Sequence, residues 1–218
     1  PWQPPMYGQD EMIAILTEWR GNYHHTLGGA SLNGNMYILD MSPDDNGDTH
    51  NTWILFGDPS LMLRTEAPQK MNVTALPSTL RTGMTSLTVK ADADFGIATL
   101  SMNGIVLGSA YVENGTANIS FPELTEAGKA KIVGLGYNKV TEIIDINISP
   151  DTGAYVIVDS YNLNQDDAQM DCNETIDLSL NVKNIGVEKS ENISLELSST
   201  SKYIKMIDSK LADKENDH

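Results

Sequence analysis

Between Ala67 and Ser149 the chain carries seven short runs in which apolar and polar residues alternate: "MNVTAL", "SLTVKAD", "IATLSMN", "IVLGSAYV", "TANISF", "AKIVGLGY" and "TEIIDINI". A period of two puts every second side chain on the same face of an extended strand, so that one face can be buried while the other stays wet. Wound as a helix, the same residues would leave Thr, Val and Ile at every exposed position. Turn pairs separate the runs, and Asn103-Gly104 and Asn114-Gly115 supply the positive φ that two-residue hairpin turns demand. Seven strands in about 80 residues predict an immunoglobulin-like β-sandwich. It has no internal disulfide, because Cys172 is the only cysteine of the chain.

The preceding residues, 1–66, follow a different pattern. After Pro4-Pro5, the residues Met12, Ile13, Leu16 and Trp19 recur at helical spacing, with Asp10 and Glu11 read into a first turn where they favour the helix dipole. Gly21-Asn22 is read as its end. A second short helix is expected after Ser31 as N-cap, with Leu32, Met36 and Leu39 on one face. The polar loop "SPDDNGD" then leads into "TWILF", Thr52 to Phe56, whose composition and length suit a buried strand. Helices next to a fully apolar strand suggest an α/β layer structure. Two helices and one strand make half a sheet at best, so this zone is expected to complete something that begins upstream.

From about Pro150, "AYVIVDSYNL", "ETIDLSLNVKNIG", "SENISLELSS" and "KYIKMID" read as four further strands. Ile176, Leu178, Leu180 and Val182 fall on one sheet face, with Asp177, Ser179 and Asn181 on the other. Only four strands fit before the polar tail, so this second sandwich is expected to be truncated, or to pack within the chain or against a neighbouring sandwich. The fold class is therefore mainly β with an α/β N-terminal part, divided as residues 1–66, 67–149 and 150–218.

Charge narrows the function. Thirty acids against 14 bases give a net charge of −16 with no basic stretch, which repels phosphate backbones and makes nucleic acid a poor partner. No apolar run has the ~18 residues of a membrane span. The chain opens at Pro1 without a signal-peptide pattern and reads as a piece of a longer protein.

Single residues that could carry chemistry have plainer explanations. Cys172 lies in the polar turn "QMDCNET" with no imidazole nearby in sequence, so it is read as structural or incidental rather than as a nucleophile. His24-His25 are neighbours that would point to opposite faces of an extended segment, and a loop between helices explains them better than a metal. Asp44, Asn46 and Asp48 have calcium-loop spacing, but the twelfth position is Leu55 rather than a bidentate Glu. A solvated loop is favoured there, with structural calcium as the weaker reading and no other cofactor expected. Asp58, held extended before Pro59, can bond the amide at Ser60 and fix a corner. The Asn-x-Ser/Thr triplets at Asn72, Asn114, Asn118, Asn173 and Asn192 arise readily in β-rich composition.

Taken together, "WQPPMYGQDEM", "TLGGASLNGNMYILDM" and "TWILFGDPSLMLRTEAP" resemble the final third of the catalytic unit of the gingipain family of cysteine endopeptidases, and the stretch from "KMNVTAL" to "TEIIDI" is similar to the immunoglobulin-like domain that follows it. The resemblance runs from about Trp2 to Ile148 in the family's order. Residues 150–218 resemble, more weakly, adhesion-type sandwiches of bacterial surface proteins. The resemblance implies the end of a caspase-like α/β domain, a histidine and cysteine dyad that precedes Pro1, and a peptide or protein substrate. It places Trp2 and Met6 along the wall of the pocket for the side chain before the scissile bond. An indole and a thioether suit that wall because they can flank the aliphatic stem of a long basic side chain. This chain alone then has no catalytic residue and no peptidase activity. The expected whole is a secreted or cell-surface endopeptidase; the alternative is a non-catalytic surface adhesion or scaffold protein built of sandwiches.

Overall fold

The computed structural model describes residues 3–18, 25–93, 95–164 and 169–207. The chain divides into two compact units, Pro1–Ile148 and Ser149–His218.

The first unit opens with two helices, α1 (Gln3–Thr17) and α2 (Leu27–Met41). α1 starts seven residues before Asp10, so Asp10 and Glu11 lie in its middle rather than in its first turn. Pro4 and Pro5 are no obstacle there, since a first turn has no intrahelical use for their missing amides. Trp19 and the expected Gly21-Asn22 stop lie outside the described residues. α2 is capped by Thr26, not Ser31: the Thr26 Oγ1 accepts from the Gly29 amide at 3.0 Å. The helices cross where each offers a glycine. A Cβ on Gly34 would stand 2.7 Å from the Gly8 carbonyl oxygen, and one on Gly8 would stand 2.7 Å from Ile38 Cδ1. Ala14, Ile15, Ala30 and Ile38 fill the buried side, while Ile13, Leu32 and Met36 face solvent.

A 3-10 turn (Pro43–Asp45) and the short helix α3 (Asp48–Thr52) follow. The expected strand at Thr52 to Phe56 is not formed. Thr52 ends α3, and residues 53–56 belong to no helix or strand, with Ile54 72% and Phe56 87% exposed. An apolar strand needs sheet neighbours to bond its backbone and cover its side chains, and the described residues supply none here.

The sandwich follows in eight strands: β1 (Val73–Leu76), β2 (Thr79–Arg81), β3 (Ser86–Ala91), β4 (Phe95–Met102), β5 (Ile105–Glu113), β6 (Thr116–Ser120), β7 (Gly128–Gly136) and β8 (Glu142–Ser149). All seven expected runs are strands; the three-residue β2 is the addition. The pairing order is β1-β3-β6-β5-β4-β7-β8-β2. β5 and β6 pair only at Glu113 and Thr116, across the Asn114-Gly115 turn. One pair of contact there lets β1-β3-β6 fold over the remaining strands as a second layer. Asn103, Gly104, Asn114 and Gly115 all take positive φ, as two-residue turns require. Alternate residues of the two layers, including Val89, Leu100, Val112, Ile119, Ile132 and Ile148, meet in one core and are fully buried.

In the second unit β9 (Val156–Leu163) and β10 (Leu178–Asn184) pair antiparallel. The third and fourth strands expected over "SENISLELSS" and "KYIKMID" are not formed: residues 190–207 contain no strand. The fold is mainly β with N-terminal helices.

Candidate functional site at the helix and sandwich seam

The segment between helices and sandwich is fastened at three levels. His25 to Gly28 runs alongside Pro59 to Leu63: the Leu63 amide donates to His25 O at 3.0 Å, the Leu27 amide to Leu61 O at 2.8 Å and the Gly28 amide to Pro59 O at 2.9 Å. Gly28 permits this approach, because a Cβ there would sit 2.6 Å from Pro59 Cβ. The corner that brings Pro59 round is held by Asp58, whose Oδ1 accepts from the Ser60 amide at 2.8 Å and the Ser60 hydroxyl at 2.7 Å. The hydroxyl and then the amide of Ser60 hold the Asp58 carboxyl below the usual carboxylate range. Asp58 thus has the structural role that its sequence context suggests.

The turn between β7 and β8 is the second fastening. Tyr137 Oη donates to Leu16 O of α1 at 3.1 Å and lies 2.9 Å from Thr65 Oγ1. Asn138 Nδ2 donates to Thr65 Oγ1 at 3.0 Å, and Asn138 Oδ1 accepts from the Thr65 amide at 3.0 Å. A continuous relay therefore runs from Asn138 through Thr65 and Tyr137 to Leu16, each member polarising the next. Asn138 itself adopts φ 53°, a conformation Asn tolerates better than most residues. The imidazole of His25, only 3% exposed, lies 4.7 Å from the Tyr137 ring and 5.9 Å from the Phe95 ring, centroid to centroid. His25 is thus a packing element of the seam, and His24 lies outside the described residues.

The third fastening holds the start of β1. The Asp92 carboxylate accepts from the Asn72 amide at 2.7 Å and from Asn72 Nδ2 at 3.0 Å, with Lys139 Nζ 3.7 Å away. The Asn72 amide is the main reason that the Asp92 carboxyl titrates below its ordinary value; desolvation opposes it, and the Asn72 side chain and Lys139 assist. An open cleft of about 500 Å³ lies along the seam, lined by Asp58, Ser60, Leu61, Met62, Arg64, Leu135 and Gly136.

Of the two residues expected to border a substrate pocket, Trp2 lies outside the described residues, and Met6 stands on the outer side of α1, 53% exposed. Cys172 is exposed in the second unit. Asn46 ends the 3-10 turn with φ 50°, and Asp48 opens α3. Asp45, which the calcium-loop spacing leaves out, has its carboxylate on the Thr49 amide at 2.7 Å. Among the described residues no three His, Cys, Asp or Glu side chains converge on one point. The relay of Tyr137, Asn138 and Thr65 was missed by sequence reasoning. Its one local signal is an Asn at a strand-to-strand turn, which says nothing about a partner 73 residues away.

The profile of "Peptidase family C25, C terminal ig-like domain" matches residues 75–149. Gingipain R1 of Porphyromonas gingivalis is 42% identical over 155 residues, which is 71% of this chain and 16% of that protein. Gingipain R2 of the same species is 39% identical over 149 residues, 67% of this chain and 20% of that protein. The crystal structure of the Arg-specific cysteine proteinase gingipain R superposes with a TM-score of 0.60 at 38% identity, over 68% of this chain and 34% of that one. The chain therefore spans about a fifth or less of the curated relatives it matches. No helix among the described residues is long and apolar enough to cross a membrane. The central sandwich is thus the C-terminal ig-like domain of peptidase family C25, and over about two thirds of its length the chain resembles the gingipains in sequence and in fold.

Proposed function

We propose that this chain is the C-terminal portion of a secreted or cell-surface cysteine endopeptidase, in which it closes the catalytic domain and supplies one wall of the substrate pocket. The observation that carries this reading is the apolar surface that the helices and the segment after them leave exposed. Small residues, Gly8, Ala14, Ala30 and Gly34, fill much of the contact between α1 and α2, while Met6, Ile13, Leu32, Met36, Ile54 and Phe56 stand exposed. Full burial of such side chains is worth roughly 1.5–3 kcal/mol each, so a large stabilisation is left unused unless another layer covers them. The upstream part of a peptidase domain is that layer in the proposed whole. The thiolate and imidazole that attack the peptide carbonyl belong to it, and the substrate is a peptide or protein.

Within this arrangement Trp2 and Met6 flank the side chain that precedes the scissile bond. The name of one solved relative, an Arg-specific proteinase, supports a long basic side chain at that position, whose stem an indole and a thioether can sandwich. The test is made on the full-length gene product with a thiol-reactive peptidyl probe. Labelling is expected, and Trp2→Ala and Met6→Ala should raise KM for substrates with Arg or Lys before the cleaved bond more than they lower kcat. A full-length protein that takes no label would instead be a surface scaffold.

A further inference from the structure

The first turns of α1, which carry Met6, rest on a floor supplied by other elements. Tyr7 meets Tyr37 of α2 edge to face, with ring centroids 6.3 Å apart and planes at 88°. Aromatic rings favour that arrangement, since the positive edge of one then faces the negative face of the other. Gly8, the next residue, is buried over Ile38 of α2 and Trp53 of the segment after α3.

The contact at Gly8 is as close as backbone allows. A Cβ there would stand 2.7 Å from Ile38 Cδ1, 3.0 Å from Ile38 Cγ1 and 3.1 Å from Trp53 Cη2. Neither neighbour has an easy retreat. Ile38 is fully buried, a β-branched side chain in a helix holds one χ1 rotamer, and the indole of Trp53 is a rigid plate. Glycine is a poor helix former, so its place inside α1 is a local cost that this close approach offsets.

The three consecutive residues divide the directions around the helix. Successive side chains turn by about 100°, so Met6 points about 200° away from the floor under Gly8, with Tyr7 on the flank between them. Met6 is accordingly 53% exposed. Any lift or roll of the backbone at Gly8 is passed to Met6 over two residues of rigid helix.

We infer that Gly8 and Tyr37 are positioning residues for the substrate pocket, a role that rests on the proposed place of Met6 along that pocket. Gly8 sets how high α1 rides on α2, and Tyr37 sets its roll through Tyr7. Together they fix how far the Met6 thioether reaches toward the side chain before the scissile bond.

The experiment is steady-state kinetics on the full-length gene product, with peptide substrates carrying Arg before the cleaved bond. Gly8→Ala adds a methyl for which the floor has no room, and Tyr37→Leu keeps apolar bulk while removing the ring. Each is expected to raise KM about tenfold, the low end of what one methylene is worth in an apolar pocket, and to leave kcat unchanged, as loss of uniform binding does. Tyr37→Phe keeps the edge-to-face pair and should match the wild type. In a Met6→Ala background Gly8→Ala and Tyr37→Leu should change KM no further, because their effect passes through the missing side chain. Tyr37 is only half-buried, so Tyr37→Leu carries the test even where Gly8→Ala lowers folded yield. If Met6→Ala raises KM while Gly8→Ala and Tyr37→Leu do not, the pocket reading stands and the positioning role is overturned. Equal changes in KM with and without Met6, or a kcat that falls alongside the melting temperature, also overturn it, because they describe a general loosening of the helix pair. A KM indifferent to Met6→Ala itself removes the pocket reading and the positioning role with it.

Discussion

The hydroxyl of Tyr137 donates to the carbonyl oxygen of Leu16 at 3.1 Å, joining two residues 121 positions apart. One belongs to the turn between β7 and β8 and the other to the last turn of α1. Because the same hydroxyl meets Thr65 Oγ1, it ties helix, linker and sandwich at a single atom. Tyr137→Phe keeps the ring against His25 and removes only that atom. Loss of its two part-buried hydrogen bonds, to Leu16 and Thr65, costs about 2 kcal/mol, which for a chain of this size lowers the melting temperature by about 4–8 °C. Amide exchange should rise in α1 and at Leu63 while the central sandwich strands stay protected, and calorimetry with hydrogen exchange reads both.

Asn138 offers a way to separate strain from bonding. Asn138→Gly accepts the φ of 53° without penalty but loses the bonds to Thr65, whereas Asn138→Ala loses the same bonds and adds the steric cost of a left-handed residue, roughly 1–2 kcal/mol. Chemical denaturation should rank wild type above Asn138→Gly and Asn138→Gly above Asn138→Ala.

In the helix pair two effects of Gly34→Ala oppose each other. Alanine favours a helix interior by about 1 kcal/mol, yet its Cβ would meet the Gly8 carbonyl oxygen at 2.7 Å, a backbone atom that moves only if the helices separate. The steric effect wins, so Gly34→Ala should lower the melting temperature and reduce helical circular dichroism, the reverse of what propensity alone predicts.

Acid should weaken the seam. The carboxyls of Asp58 and Asp92 are both held below their ordinary value, so the unfolded chain binds protons more readily than the folded one. Their contribution is present above about pH 4, the ordinary carboxylate range, and is lost as pH falls through the lowered folded values. In melting temperature measured from pH 6 to pH 3, Asp92→Asn should show a shallower decline than the wild type. Asp58→Ala should melt lower already at neutral pH, since the Ser60 corner goes with the carboxylate.

Phe56→Asp tests the exposed apolar segment. In this chain alone, with Phe56 87% exposed, the substitution should leave the melting temperature unchanged and improve solubility. In the full-length protein it should reduce folded yield and probe labelling, because the side chain would there be covered.

The sandwich was legible because its signals are local: period-two runs such as Ser86–Ala91, and Asn-Gly pairs whose turns need no distant partner. β2 escaped because three residues are too few to display a period. The helices were found but misplaced at their starts: Pro4-Pro5 reads as a breaker, though a first turn accepts it, and the cap is Thr26, five residues before the expected Ser31. "TWILF" has strand composition, but pairing and burial depend on neighbours that the described residues do not include. The seam was illegible for a related reason, since nothing near Tyr137 in sequence points to Leu16 or Thr65.

β1 and β2 are consecutive strands joined through Pro77 and Ser78, yet they stand at opposite ends of the pairing order. The polypeptide that leaves the linker thus hems one layer and at once hems the other. Displacing residues 73–81 would therefore strip an edge strand from each layer and leave both margins of the sandwich open.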